Sequence, residues 1–293
     1  MRRGFVRIVV ALALAGGTVP TASAQGGRGA GPPPPQTPQA GAPIDVTGNW
    51  VSIVNEDWRW RMVTPPKGDY ASVPLNPEAR KVADSWDPSK DGSCLAYGAA
   101  GLMRVPTRLR ITWENETTLK LETDAGQQTR RFVFTESPQP PAQKSLQGFS
   151  VAEWERVNLG RRGGGPPGAG PAGPPPGGGG PGAAPGAGPA GPGPAGARGA
   201  GGPAADPRGG NLKVVTTNLS GGWLRKNGVP YSENTTLTEY FDRFSVPNGG
   251  EWLVVTTVVS DPKYLTQEFV TSTHFRREPD GAKWDPTACK PTS

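Results

Sequence analysis

Apolar and polar residues alternate along much of this chain, which is the pattern of β-strands with one buried face. In the clearest example, at 107–114, Leu109, Ile111 and Trp113 share one face and polar residues occupy the other. A second alternating stretch at 117–123 follows two polar residues that predict a tight hairpin turn. Eight further strands are predicted at 46–55, 58–63, 128–135, 148–156, 212–219, 235–244, 251–260 and 267–276.

One short helix is predicted at 77–86, where Asn76 can cap the first turn and Pro77 suits the first helical position. About ten strands with a single helix indicate an all-β protein. Because exposed strand edges must be covered or removed, we expect an antiparallel barrel, with a two-sheet sandwich as the alternative.

The N-terminal 24 residues predict an export signal. Three arginines within the first seven residues precede an apolar run of eight, and Ala22 and Ala24 supply the small residues that signal peptidase requires. We therefore expect cleavage after Ala24 and a periplasmic or secreted protein. The apolar run is too short to span a bilayer, so we expect no membrane-spanning segment.

Two segments have compositions that cannot form a core. Residues 25–43 are rich in Gly, Pro and Gln and predict a disordered tether, whereas 161–210 holds 21 Gly, 13 Pro and 11 Ala. We interpret 161–210 as a disordered insertion in one hairpin loop of a single β domain at 44–293, because loop closure becomes only slowly more costly with length. A linker between two smaller domains is the alternative.

Net charge argues against nucleic-acid binding. The chain carries 31 basic and 25 acidic residues, but eight of the basic ones lie in the signal, the tether or the insertion. The remainder has 23 basic and 24 acidic residues, a net charge of −1, so it offers no excess of positive charge for a phosphate backbone.

The two cysteines, Cys94 and Cys289, predict a disulfide because the protein is expected in an oxidising compartment. Two unrelated thiols are the alternative. A zinc site would need both thiols, the single histidine His274 and a carboxylate, and a disulfide would remove it. We expect no metal and no cofactor.

The most unusual run of the chain is Trp58-Arg59-Trp60-Arg61-Met62. On a strand, its tryptophans would share one face and its arginines the other. A tryptophan face turned inward would be core or a ligand-stacking wall, and an arginine face turned inward would hold an anionic group through paired hydrogen bonds. We therefore take Trp58, Trp60 and Trp113 as ligand-binding wall residues, with Arg59 or Arg61 as a polar anchor. Tryptophans in the core with arginines in solvent are the alternative.

The sequence Gly48-Asn49-Trp50 lies at the start of the first predicted strand and resembles the G-x-W pattern of the lipocalins and calycins. In those families a first-strand Trp packs against an Arg from the last strand and closes one end of the barrel. The resemblance implies a lipocalin-like barrel in which Trp50 pairs with Arg276 or Arg277.

The rest of the chain resembles an uncharacterised family of secreted bacterial proteins, over most of residues 45–289. That resemblance implies export and a shared fold, and it brings no assigned activity. In that family the stretch ending in Trp154-Glu155 usually turns tightly into the next strand, which favours the loop interpretation of the insertion. The resemblance rests on 74–79, Cys94-Leu95, 150–155, Trp223-Leu224-Arg225-Lys226-Asn227-Gly228, 240–244 and 261–264.

Three functions are compatible with these observations. The first is an exported lipocalin-like barrel that binds a small, partly apolar ligand without catalysis, and we favour it. The second is a cell-envelope interaction module with a protein or cell-wall partner. The third is a carboxylate-based hydrolase using Glu153 and Glu155, which share a strand face. Since the sequence offers no nucleophile–base pair that favours an enzyme, we assign no catalytic residue.

Overall fold

The computed structural model describes residues 36–91, 94–156 and 210–289. The predicted signal peptide, most of the tether and nearly all of the predicted insertion lie outside these residues. The described residues belong to one compact unit, Gln36–Ser293. Within it, the strands are β1 (Gly48–Ile53), β2 (Arg108–Asn115), β3 (Thr118–Thr123), β4 (Ala125–Gly126), β5 (Thr129–Val133), β6 (Phe149–Arg156), β7 (Gly210–Thr217), β8 (Gly222–Arg225), β9 (Val229–Tyr231), β10 (Thr236–Ser245), β11 (Glu251–Ser260), β12 (Phe269–Glu278) and β13 (Thr287–Ala288). The helices are α1 (Trp58–Arg61), α2 (Pro77–Ser85) and α3 (Ala99–Leu102).

Nine strands form a closed barrel in the order β1-β12-β11-β10-β7-β6-β5-β3-β2, and β2 pairs back with β1. Each of these nine corresponds to a strand predicted from alternation. The predicted barrel is therefore confirmed, and the sandwich alternative is wrong.

The sheet is mixed, so the prediction of a wholly antiparallel barrel was wrong. β5 and β6 run parallel and pair only through Phe132 with Ser150 and Val133 with Val151. Alternation reports which face of a strand is buried, but it carries no information about the direction of the neighbouring strand.

The strand predicted at 58–63 was also wrong, because this segment forms α1. The Met62 amide donates to the Trp58 carbonyl at 2.9 Å, which closes a helical turn. Helix α2 is present as predicted, with the Asn76 side chain accepting from the Ala79 amide at 2.9 Å. The expectation of a single helix was wrong, since α1 and α3 accompany α2.

Apolar side chains fill most of the interior of the barrel. The members of this cluster that lie on barrel strands and have no exposed surface are Trp50, Leu109, Ile111, Leu119, Leu121, Phe132, Leu212, Val214, Phe241, Leu253, Val255 and Phe275. The barrel is consequently a packed core rather than a container.

A second apolar cluster forms where α2 and the β8–β9 hairpin pack against one end of the barrel. Ala79 and Ala83 of α2 are fully buried there with Leu237, Val259 and Phe269, which lie at the ends of barrel strands. The cluster attaches the segments between β1 and β2, and between β7 and β10, to the barrel.

The predicted disulfide between Cys94 and Cys289 is present. It fixes the C-terminal segment, whose strand β13 pairs in parallel with β4. Because the described chain has no free cysteine, the zinc alternative has lost both of its thiol ligands.

Strands β6 and β7 are antiparallel neighbours, with Arg156 opposite Gly210. Residues 157–209 therefore connect two adjacent barrel strands, and Gly210 itself belongs to β7. Close by, Trp154 donates through Nε1 to the Pro38 carbonyl at 2.8 Å, so the described end of the predicted tether contacts the barrel. None of the helices described here has the length and apolar character needed to cross a membrane.

Candidate functional site

Four cationic side chains line a small cavity beside the barrel, together with Trp60. Arg61 ends α1, Arg104 follows α3, Arg225 ends β8, and Lys226 begins the turn after it. Three separate segments of the chain therefore meet at this point, which we call the arginine pocket.

A glycine brings two of these segments together. Gly101 of α3 also lines the arginine pocket, and a Cβ atom on it would lie 2.6 Å from the Trp223 carbonyl of β8. A side chain at this position would push α3 away from β8. The close approach places Arg104 near Arg225.

The three arginines are almost fully buried. Arg61 and Arg225 are 3% exposed and Arg104 is 6% exposed. Arginine is rarely buried to this degree unless its guanidinium is paired, because removing a charge from water is costly.

Some of the guanidinium nitrogens do have partners. Arg61 donates through Nε to the Arg104 carbonyl at 2.9 Å and through Nη1 to Glu56. Arg104 donates through Nη2 to Asp57 at 2.9 Å. These contacts hold the two side chains in place with carboxylates at one side.

Five buried nitrogens of the pocket arginines have no hydrogen-bond partner within the described part of the chain. They are Nε, Nη1 and Nη2 of Arg225, Nη2 of Arg61 and Nη1 of Arg104. Unsatisfied buried donors are uncommon in folded proteins and call for a physical explanation. A group that accepts hydrogen bonds and carries negative charge would satisfy them.

Trp60 forms the aromatic side of the arginine pocket. The Arg225 guanidinium lies 4.8 Å from the ring centroid, a cation–π distance. The indole Nε1 donates to Asp69 at 3.1 Å, and the same carboxylate oxygen accepts from Arg59 at 2.6 Å. The hydrogen bond to Asp69 orients the indole ring through its polar edge, and the face of the ring contacts the Arg225 guanidinium.

The electrostatics of the pocket favour an incoming anion. Burial, reinforced by the neighbouring charge of Arg104, lowers the pKa of Arg225 to about 10. Burial also lowers the pKa of Arg61, against the opposing effect of Glu56, and lowers that of Lys226. Each lowered pKa means that the folded environment disfavours the cation, so an anion at this position would relieve the penalty.

The cavity between these side chains measures about 20 Å³. That is room for one small group of about the size of a water molecule. One oxygen of a carboxylate fits this space, and the carboxylate group is planar, with two oxygens that match the fork of a guanidinium.

The structure brings together only part of the predicted site. Trp60 and Arg61 line the arginine pocket, and Arg59 lies on the outer side of Trp60 with its side chain 59% exposed. Trp58 is 65% exposed and does not line the pocket. Trp113 belongs to a different cluster, with its ring centroid 5.6 Å from that of Phe134.

The first-strand tryptophan lies in the barrel core. Trp50 is fully buried, stands opposite Arg277 in the β1–β12 register, and has the Arg277 guanidinium 5.7 Å from its ring centroid. Arg276 is exposed on the neighbouring position of β12. Arg277 also donates to Glu251 at 2.6 Å.

The carboxylates considered for hydrolysis lie on the outside of the barrel. Lys213 lies 2.8 Å from Glu153 and 3.5 Å from Glu155, and both glutamates are substantially exposed. The single histidine, His274, lies 2.9 Å from Glu56 through Nδ1. Neither arrangement places a nucleophile beside a base.

Sequence reasoning missed Arg104, Arg225 and Lys226. The one available signal is the basic pair Arg225-Lys226 between an apolar pair and an Asn-Gly turn, which places cations where a buried hairpin begins. Arg104 carries no local signal, because only the fold brings it to the other two segments.

The arginine pocket can therefore hold a small anion by charge and by hydrogen bonds, with an aromatic ring along one side. The chain matches no protein-family model, no curated protein and no solved structure.

Proposed function

We propose that this protein is an exported β-barrel protein that binds a small anionic ligand, held by its carboxylate in the arginine pocket. The observation that carries the proposal is the set of five buried guanidinium nitrogens in the arginine pocket that have no hydrogen-bond partner among the described residues. Three of them belong to Arg225, which makes it the principal ligand-binding residue.

The energetic cost of burying an unpaired cation supports this function. A buried cation with unsatisfied donors destabilises a fold by several kcal/mol, whereas the same group bound to a carboxylate gains charge-assisted hydrogen bonds. A ligand would therefore supply what the folded chain lacks. Among the described residues, no carboxylate lies within hydrogen-bonding distance of Arg225, which leaves its donors available to an anion.

The proposed ligand lies outside the barrel, in contrast to the interior site that a lipocalin-like barrel suggests. The interior is occupied by the apolar side chains of the core. Of the residues proposed from sequence, Arg61 remains an anchor and Trp60 a wall residue. Trp58 and Trp113 are not part of the proposed site.

Export is supported by two independent observations. The Cys94–Cys289 disulfide requires an oxidising compartment to form and persist. The N-terminal sequence has the charged, apolar and small-residue regions of a signal peptide.

Titration with formate and acetate, followed through the side-chain Nε–H signals of arginine in NMR spectra, tests the binding site. We expect saturable shifts of the buried arginine signals in the natural protein. The variant Arg225→Gln should weaken binding at least about tenfold, because it removes charge-assisted hydrogen bonds.

Arg131→Gln is the matched control, since Arg131 is an exposed arginine paired with Glu114 on the barrel surface. It should bind formate and acetate as the natural protein does. The absence of any saturable shift in the natural protein, or equal weakening by both variants, would overturn the proposed function.

A further inference from the structure

A larger groove is lined by residues that directly follow those of the arginine pocket in two segments of the chain. It has a volume of about 550 Å³, which is within the range of small-molecule sites. Its apolar lining includes Val51, Val54, Met62 and Pro106.

The same two chain segments line both cavities. Arg61 faces the arginine pocket, and the next residue, Met62, lines the groove. In the other segment, Arg104 and Val105 line the pocket, whereas Pro106 and Thr107 line the groove. The anion position and the apolar surface are therefore separated by about one residue along each segment.

The polar groups of the groove are largely engaged with one another. Asp124 accepts from the Thr107 hydroxyl at 2.8 Å and from the Arg108 amide at 2.7 Å. The Arg108 side chain donates to Glu278 at 3.0 Å, and the Ser52 hydroxyl accepts from the Thr107 amide at 3.0 Å. Asp285 and Thr287 also line the groove, and within the described part of the chain no such contact engages the Asp285 carboxylate, so the groove offers one free polar group beside its apolar ones.

Met62 is a further indication that the groove receives an apolar group. It is 58% exposed at the edge of the groove, directly after the buried Arg61. Methionine adapts to ligands of varied shape because its side chain is unbranched and polarisable.

We propose that the ligand is an aliphatic carboxylate, with its carboxylate in the arginine pocket and its hydrocarbon chain in the groove. This inference rests on the proposed function, which supplies the position of the carboxylate. The groove accounts for the part of the ligand that the 20 Å³ pocket is too small to hold.

Affinity should rise with chain length. Burial of each methylene group strengthens binding by up to roughly fourfold, and by less where the groove leaves the chain open to water. We expect a gain of about two- to fourfold for each added methylene until the groove is filled.

The test is calorimetric or NMR titration with acetate, butanoate, hexanoate and octanoate, with 1-octanol as the neutral analogue. The expected result is affinity that increases along the carboxylate series, and octanol that binds far more weakly than octanoate. In Met62→Asp, the increase in affinity with chain length should be lost or strongly reduced.

Val270→Asp is the matched control, because Val270 is 55% exposed on β12 and does not line the groove. It should retain the full dependence on chain length. If acetate binds but affinity is independent of chain length, the inference fails and the proposed function stands.

Two further outcomes would also overturn the inference. If chain-length dependence persists unchanged in Met62→Asp, the groove is not the site of the chain and the inference is overturned. If no carboxylate of the series binds, the proposed function fails, and the inference fails with it.

Discussion

Arg130 and Glu239 form a bidentate ion pair inside the barrel, with distances of 3.0 Å and 2.6 Å between their nitrogen and oxygen atoms. Both side chains are completely buried. Arg130 also donates to the hydroxyl of Thr216 at 3.1 Å, and that hydroxyl lies 2.7 Å from the hydroxyl of Ser150. The adjacent strands β5, β6, β7 and β10 thus contribute one polar residue each to a buried hydrogen-bond network. This network crosses the parallel pair β5–β6, whose backbone pairing is short.

Removal of one member of this pair should be strongly destabilising. Glu239→Leu leaves the Arg130 charge buried without its partner, and we expect a loss of about 3–5 kcal/mol in the free energy of unfolding. The double variant Arg130→Met/Glu239→Leu should recover most of that loss. Urea denaturation of the disulfide-intact protein measures both effects.

The exposed pair Arg131–Glu114 provides a control with the same chemistry on the surface. Its disruption by Glu114→Leu should change the free energy of unfolding by no more than about 1 kcal/mol. Equal costs for the buried and the exposed pair would show that burial contributes nothing to the interaction.

Substitution of Arg225 should separate stability from binding. In Arg225→Met, a buried cation without hydrogen-bond partners is replaced by an apolar side chain of similar length. We expect the free energy of unfolding to rise by about 1–2 kcal/mol, by analogy with apolar replacement of buried charges, while carboxylate binding is lost. Denaturation and titration of the same sample measure the two effects, and a variant less stable than the natural protein contradicts this account.

The disulfide should contribute substantially to stability. It joins residues 195 positions apart, and in the chain-entropy picture a loop of this length contributes about 5 kcal/mol. The double variant Cys94→Ser/Cys289→Ser should therefore unfold at a much lower urea concentration than the oxidised protein. An unchanged midpoint would show that the C-terminal segment is held by β13 and its packing alone.

Tyr70 should make stability depend on pH in alkaline solution. Burial, together with the hydrogen bond that its hydroxyl donates to Asp84 at 2.8 Å, raises the pKa of Tyr70 to about 12. In the unfolded chain a tyrosine titrates near pH 10. The folded state favours the neutral phenol, so its contribution is complete below pH 10 and is lost as the pH rises through 12.

Comparison of the natural protein with Tyr70→Phe isolates this contribution. The difference in their free energies of unfolding should be constant from pH 7 to about 9.5 and should shrink between pH 10 and 12. A difference that is the same at pH 11.5 as at pH 8 would mean that Tyr70 retains its ordinary pKa in the folded protein.

The barrel could be predicted from sequence because its strands bury one face. Alternation along β10 and β11 follows directly from side chains such as Phe241 and Val255 pointing into a packed interior. The relative direction of neighbouring strands was not predictable, because β6 alternates in the same way as any strand although it runs parallel to β5.

The segment 58–61 shows why short patterns mislead. Its Trp-Arg-Trp-Arg alternation fits a strand, but four residues are too few to distinguish a strand from one helical turn. In the helix, Trp60 and Arg61 reach the arginine pocket, and Trp58 is exposed. The strand prediction was wrong, and with it the expectation that tryptophans and arginines would occupy two opposite faces.

The two cysteines lie on opposite sides of the 157–209 connection, Cys94 before it and Cys289 after it. A single proteolytic cut in this connection, which contains Arg161, Arg162, Arg198 and Arg208 as potential trypsin sites, would produce two fragments that remain covalently joined. Each fragment would carry part of the barrel, with β6 on one and β7 on the other. The nicked protein would migrate as one molecule until a reductant is added, and the intact disulfide would keep the two halves at high effective concentration for reassembly.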